Sequence, residues 1–109
     1  MATHRLTIRK QFLYVARGQR AARPNVVVQA RKAVPEQSGI RAGFTATKKI
    51  GNAVTRNRSK RRLRAAVHEL LVPYGQPGWD YVFIARKATA DVSWSVLLDD
   101  MKAALLRLR

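Results

Sequence analysis

Apolar residues recur along this chain with two different periods, and each change of period marks an expected element. Leu6 to Gly18 reads as a first helix, with Phe12, Val15 and Ala16 on one face and Gly18 as its stop. The residues ahead of it, from Met1 to Arg5, contain no apolar period and are expected to fray. Arg17, Arg20 and Arg23 follow in a basic loop that ends at Pro24. Asn25 to Arg31 is short and β-branched, which predicts a strand. Residues 34–39 carry Pro, Ser and Gly and read as a turn. Ile40 to Thr47 alternates, placing Ala42, Phe44 and Ala46 on one face. Arg41, Gly43, Thr45 and Thr47 fall on the other, a face expected to be shallow, polar and open.

Beyond Gly51-Asn52 the period returns to helical. Leu63, Ala66, Val67 and Leu70 form one stripe of a helix expected to end at Pro73. Asn52 and Thr55 are both candidates for its N-cap. Tyr74 to Gly78 is a loop, and Asp80 to Arg86 reads as a buried strand. Trp94, Leu97, Leu98, Met101, Leu105 and Leu108 then form the core stripe of a closing helix that begins near Ser93. The order helix, strand, strand, helix, strand, helix predicts an α/β (α+β) two-layer sandwich. With 109 residues and no linker or repeat, a single domain over 1–109 is expected.

Charge changes this picture most. The net charge is +16, and its distribution is lopsided. Of the 22 Lys and Arg residues, only Arg86, Lys87, Lys102, Arg107 and Arg109 lie after residue 68, whereas Glu36 is the single acid before it. The densest stretch is Lys48 to Arg64, K-K-I-G-N-A-V-T-R-N-R-S-K-R-R-L-R, which has no acid at all. On a helix, Asn57, Arg58, Arg61, Arg64 and His68 fall opposite the apolar stripe, with Arg62 on a flank. A merely solvated face would mix both signs to gain i,i+4 pairs. A membrane-surface helix would need a larger apolar face than this stripe, which the core requires. A rigid row of guanidinium groups instead suits the phosphates of a nucleic acid.

Candidate catalytic chemistry is sparse. Without cysteine there is no disulfide framework and no thiolate metal site. His4 and His68 are far apart in sequence, and Asp99 and Asp100 point about 100° apart on a helix, so neither pair reads as a reactive cluster. No phosphate-cradling loop or nucleophile elbow occurs. No protein-borne catalytic residue and no protein metal site is expected. No apolar run approaches membrane-spanning length, so a cytoplasmic protein with no membrane partner is expected.

The stretch from Lys48 resembles the signature of the bacterial ribonuclease P protein subunit, in which Lys-Lys-x-Gly-Asn-Ala-Val leads into Arg-Asn-Arg-x-Lys-Arg. Here those positions are Lys48, Lys49, Gly51, Asn52, Ala53 and Val54, then Arg56, Asn57, Arg58, Lys60 and Arg61. The likeness extends to Arg9–Gly18, to Arg41–Thr47, to Asp80–Lys87 and to the closing helix, so it covers essentially the whole chain. It implies a small mixed sheet with three helices, ribosomal-protein-S5-like, with a left-handed βαβ crossover. It also implies a non-catalytic subunit of an endoribonuclease, in which a large RNA with bound Mg²⁺ removes the 5′ leader from precursor tRNA. One protein per RNA is expected. By the same resemblance Lys48, Lys49, Asn52, Arg56, Asn57, Arg58, Lys60, Arg61, Arg62 and Arg64 are RNA-binding candidates. Phe12, Thr45, Thr47, Lys49, Asn57 and Arg61 are candidates for a cleft that takes the single-stranded leader. The family's second aromatic, four residues after the first, is Ala16 here. A structural RNA-binding protein of the ribosome is the alternative that shares a basic surface and lacks catalysis.

Overall fold

The computed structural model describes residues 3–36 and 38–109; Met1 and Ala2 of the leading stretch and Gln37 of the expected turn lie outside them. The elements are β1 (Thr3–Arg5), α1 (Arg9–Ala16), β2 (Gln19–Ala22), β3 (Val26–Lys32), β4 (Ile40–Thr45), α2 (Ala53–Tyr74), β5 (Trp79–Ala85) and α3 (Trp94–Arg107). Short 3-10 turns at Lys48–Ile50 and Lys87–Ala90 lead into α2 and toward α3. The strands form one sheet in the order β1-β4-β5-β3-β2. β4 is parallel to β1 and β5, and β3 is antiparallel to β5 and β2, so the sheet is mixed.

Two clusters hold the layers together. Val26, Val28, Ile40, Tyr81 and Phe83 of the sheet pack on Leu63, Val67 and Leu71 of α2 and on Leu97, Met101 and Leu105 of α3. Each large side chain taken fully from water here contributes about 1.5–3 kcal/mol. On the opposite sheet face Leu6, Val15 and Val82 form a smaller cluster with Phe12, Tyr14 and Ile84. Burial on both faces explains why β3 reads as a continuous Val run rather than an alternation. The contact of α1 with the sheet depends on Gly43, where an added Cβ would lie 2.7 Å from the Phe12 ring.

The expected elements are present, and two strands join them. The leading residues that were expected to fray form β1, with Thr3, His4 and Arg5 paired to Ile40, Arg41 and Ala42. All three β1 side chains are exposed, so backbone pairing to an open sheet edge holds this strand, and it leaves no apolar period to read. The expected basic loop contains β2, in which only Ala21 is buried, opposite Val28. The first helix is shorter than expected because Leu6 is still extended, its N–H donating to the Ala42 carbonyl at 2.9 Å. Ala16 is exposed instead of sharing the inward face of Val15. α2 runs one residue past Pro73, whose missing N–H costs little in a last turn closed by the Gly75 N–H on the Leu71 carbonyl at 2.7 Å. On β4, Ala42 and Phe44 face the helical layer as expected. The other face is less open than expected: Arg41 is ion-paired, Gly43 lies beneath Phe12, and Thr45 and Thr47 remain accessible.

Candidate nucleic-acid interface

The basic segment enters its helix through a turn that only glycine favours. Gly51 has φ of +148°, and the next residue caps α2, the Asn52 side-chain oxygen accepting the Thr55 N–H at 2.9 Å. This decides between the two candidate caps. Inside the first turns Ser59 is fully buried, and its hydroxyl is satisfied there by donating back to the Thr55 carbonyl at 2.9 Å. The first turn of α2 carries no acid. Its positive dipole end and the cations around it therefore add to one another, an arrangement that destabilises the free helix and favours a bound polyanion.

The ten RNA-binding candidates divide into outward and inward sets. Lys48, Lys49, Asn52, Asn57, Arg58 and Arg61 are exposed, and Lys60 and Arg64 are half-buried beside them. Asn57, Lys60, Arg61 and Arg64 line one open groove of about 450 Å³ with Val54. Arg62 does not belong to this surface. It turns inward, donating to the Thr89 carbonyl at 2.6 Å and to the Val92 carbonyl, with its guanidinium carbon 5.8 Å from the centre of the Trp94 ring. Its place on the flank of α2 puts it against the Lys87–Ala90 turn, so its charge ties α2 to the start of α3. Arg56 is also half-buried, and its Nε is buried with no hydrogen-bond partner among the described residues.

Five of the six leader-cleft candidates line three cavities rather than one. Thr47 and Lys49 line a cavity of about 770 Å³ with an apolar floor at Val27, Ile50 and Ile84. Arg20, Arg86 and Lys87 ring it, three cations that sequence reasoning left out of the site. The adjacent pair at the end of the Asp80–Arg86 pattern was visible, but the position of Arg20 required knowing that β2 pairs with β3. Phe12 lies in a hollow of about 280 Å³ with Arg5, Leu6 and Phe44. Asn57 and Arg61 are on the groove along α2. Thr45, the sixth, sits opposite Ile84, a lining residue of the Thr47 cavity, across the β4–β5 pairing.

Two carboxylates are committed to the fold. Asp80, 1% exposed, takes two bonds of 2.6 and 2.7 Å from the Arg41 guanidinium, and this hydrogen-bonded pairing raises the Arg41 pKa above its ordinary value. Asp100 receives both the backbone N–H and the side-chain amide of Asn25, at 3.0 and 2.7 Å, together with Arg23. Among the described residues no three His, Asp or Glu side chains converge on a point that could hold a metal ion.

A positively charged helix face beside a cation-ringed apolar cleft is therefore the outstanding surface of the fold. Compared with known proteins, the whole chain, residues 1–109, matches the family model described as Ribonuclease P. The chain belongs to the ribonuclease P protein family. It is 51% identical over 102 residues to the ribonuclease P protein component of Ruegeria pomeroyi, covering 92% of this chain and 82% of that one. Against the ribonuclease P protein component of Caulobacter vibrioides identity is 48% over 104 residues, covering 95% of this chain and 70% of the relative. The fold superposes on the ribonuclease P protein of Thermotoga maritima with a TM-score of 0.82 at 26% identity, covering 97% of this chain and 98% of that one. Membership of the ribonuclease P protein family removes the ribosomal alternative. Among the described residues no helix is long and apolar enough to cross a membrane.

Proposed function

We propose that this chain is the RNA-binding subunit of a cytoplasmic ribonucleoprotein that removes the 5′ leader from precursor tRNA. One copy binds a catalytic RNA along α2 and holds the single-stranded leader in the cleft ringed by Arg20, Lys49, Arg86 and Lys87. The observation that carries this reading is the exposed row Asn57, Arg58 and Arg61 on a helix whose opposite face is core. With 22 cations against six acids, most of the positive charge has no acidic partner within the chain. Phosphates of two RNA strands repel one another, and cations placed between them lower the Mg²⁺ concentration needed to bring them together. In this reading Mg²⁺ and the reacting groups belong to the RNA, while Asp80 and Asp100 of the protein serve its fold through Arg41 and Arg23.

The test is cleavage of a precursor tRNA by a bacterial ribonuclease P RNA at low Mg²⁺, with and without the chain. Rescue by the protein, with no cleavage by protein alone, is the expected result. Failure of a folded chain to rescue, or cleavage without RNA, overturns the proposal.

A further inference from the structure

His68 of α2 and residues Thr3, His4 and Arg5 of β1 line one groove, between β1 and the C-terminal half of α2, and of these three β1 residues Thr3 and Arg5 share the sheet face of Ala42. The groove holds about 480 Å³ and is floored by Ala42, Phe44, Val67 and Val72. Arg5, Arg64 and His68 stand on its rim, and among the described residues no acid lines it. It continues the groove of Asn57 and Arg61, because Arg64 lines both. The two halves differ in chemistry. The first has Val54 as its sole apolar lining residue among the described residues and suits phosphates, whereas the second has an apolar floor with an aromatic ring beneath a cationic rim.

We propose that the β1–α2 groove takes one unpaired nucleotide of the RNA that lies along α2. Its base packs on Phe44, Val67 and Val72, and its phosphates are held by Arg5 and Arg64. An apolar floor offers a duplex backbone nothing, but it removes the face of a splayed base from water, and such stacking tolerates any base. The row of cations up to Arg64 would deliver the strand to the groove. β1 is necessary to this site, since it brings Arg5 beside Ala42 and builds the wall facing α2. This inference rests on the proposed RNA binding by α2 and adds to it a base-binding position outside the cleft of Thr47 and Lys49.

The experiment follows side-chain NMR signals of the full chain during titration with two probes, a short single-stranded oligoadenylate and a blunt RNA duplex with the same number of phosphates. Oligoadenylate should shift Phe44, Val67 and Val72 saturably through the ring current of a bound base. Duplex should shift Asn57, Arg58 and Arg61 and leave the groove floor unmoved. Val72→Trp, at a position 44% exposed, fills the groove and should weaken oligoadenylate binding about tenfold with duplex binding retained. Arg5→Ala, on an exposed side chain of β1, should weaken oligoadenylate in the same selective way and guards against a folding defect in the first variant. A groove floor that ignores oligoadenylate, or that responds equally to duplex, overturns the inference. If the floor is silent while Arg61 still responds, the base site fails and RNA binding by α2 stands. If neither region responds and the catalytic RNA does not bind, the functional reading fails as well.

Discussion

Arg61 and Arg62 are neighbours of the same type in the same basic run, yet the structure gives them different work. Arg61 is exposed on the outer groove of α2, and Arg62 is half-buried against two backbone carbonyls and Trp94. Replacing each by Ala should separate binding from folding. For Arg62→Ala, two charge-assisted hydrogen bonds are lost at about 1.5–3 kcal/mol each, and the ring contact adds about 0.5–1 kcal/mol. Partial solvent access lets water replace some of this at the freed carbonyls. The expected loss is therefore about 2–4 kcal/mol, a fall in Tm of roughly 10–25 °C for a domain of this size. Arg61→Ala should leave Tm within about 3 °C, because surface changes away from specific contacts stay within about 0.5 kcal/mol. It should instead reduce the magnitude of the log–log salt slope of RNA binding by about 0.7–0.9, one phosphate contact. Urea unfolding and salt-dependent binding to ribonuclease P RNA, run on both variants, make the comparison. Equal midpoints for Arg62→Ala and the parent would refute the inward assignment, as would an Arg61→Ala chain that unfolds as early as Arg62→Ala.

Three further outcomes follow from local geometry. Asp100→Ala strips the acceptor from the buried Asn25 N–H and side-chain amide and should cost about 2–5 kcal/mol by urea unfolding, whereas Asp99→Ala, at an exposed position, should cost under about 0.5 kcal/mol; similar costs would discredit the network. Gly43→Ala drives a methyl to 2.7 Å from the Phe12 ring, so it should lower stability by about 1–3 kcal/mol and move Phe12, visible in its NMR ring signals; an unshifted ring would contradict the packing of α1. Burial is the main cause that raises the Tyr81 phenol above its ordinary value, so the unfolded chain loses this proton first, at about pH 10. The stability from this group is complete below that pH and falls as pH rises toward the folded value. Tyr81→Phe should lose this part of the alkaline decline, and urea midpoints with an unchanged pH slope would refute it.

Much of the fold was legible because the periods are strong. The Leu63, Val67 and Leu97 to Leu108 stripes are the stripes that pack, and the alternation of β4 does send Ala42 and Phe44 to the helical layer. β1 and β2 were illegible for a physical reason: backbone pairing to neighbouring strands defines them, and between them they bury only Ala21. A pattern-based reading detects side-chain burial and is blind to an edge strand held by main-chain bonds.

The site divides in the same way. Composition and order along the chain alone determined that a cationic helix would stand opposite a core stripe, since helical geometry converts spacing directly into faces. That left the fate of each cation open, because Arg56 and Arg62 differ from Arg58 and Arg61 in what lies across from them, and only packing supplies that neighbour. The position of Arg62 beside the Lys87–Ala90 turn, the ring of Arg20, Arg86 and Lys87 around the cleft, and the groove that Arg5 and Arg64 share all depend on segments distant in sequence becoming adjacent around one sheet. Local spacing decides which way a side chain leaves its own element, and tertiary structure decides whether it meets a carbonyl, a cavity or solvent.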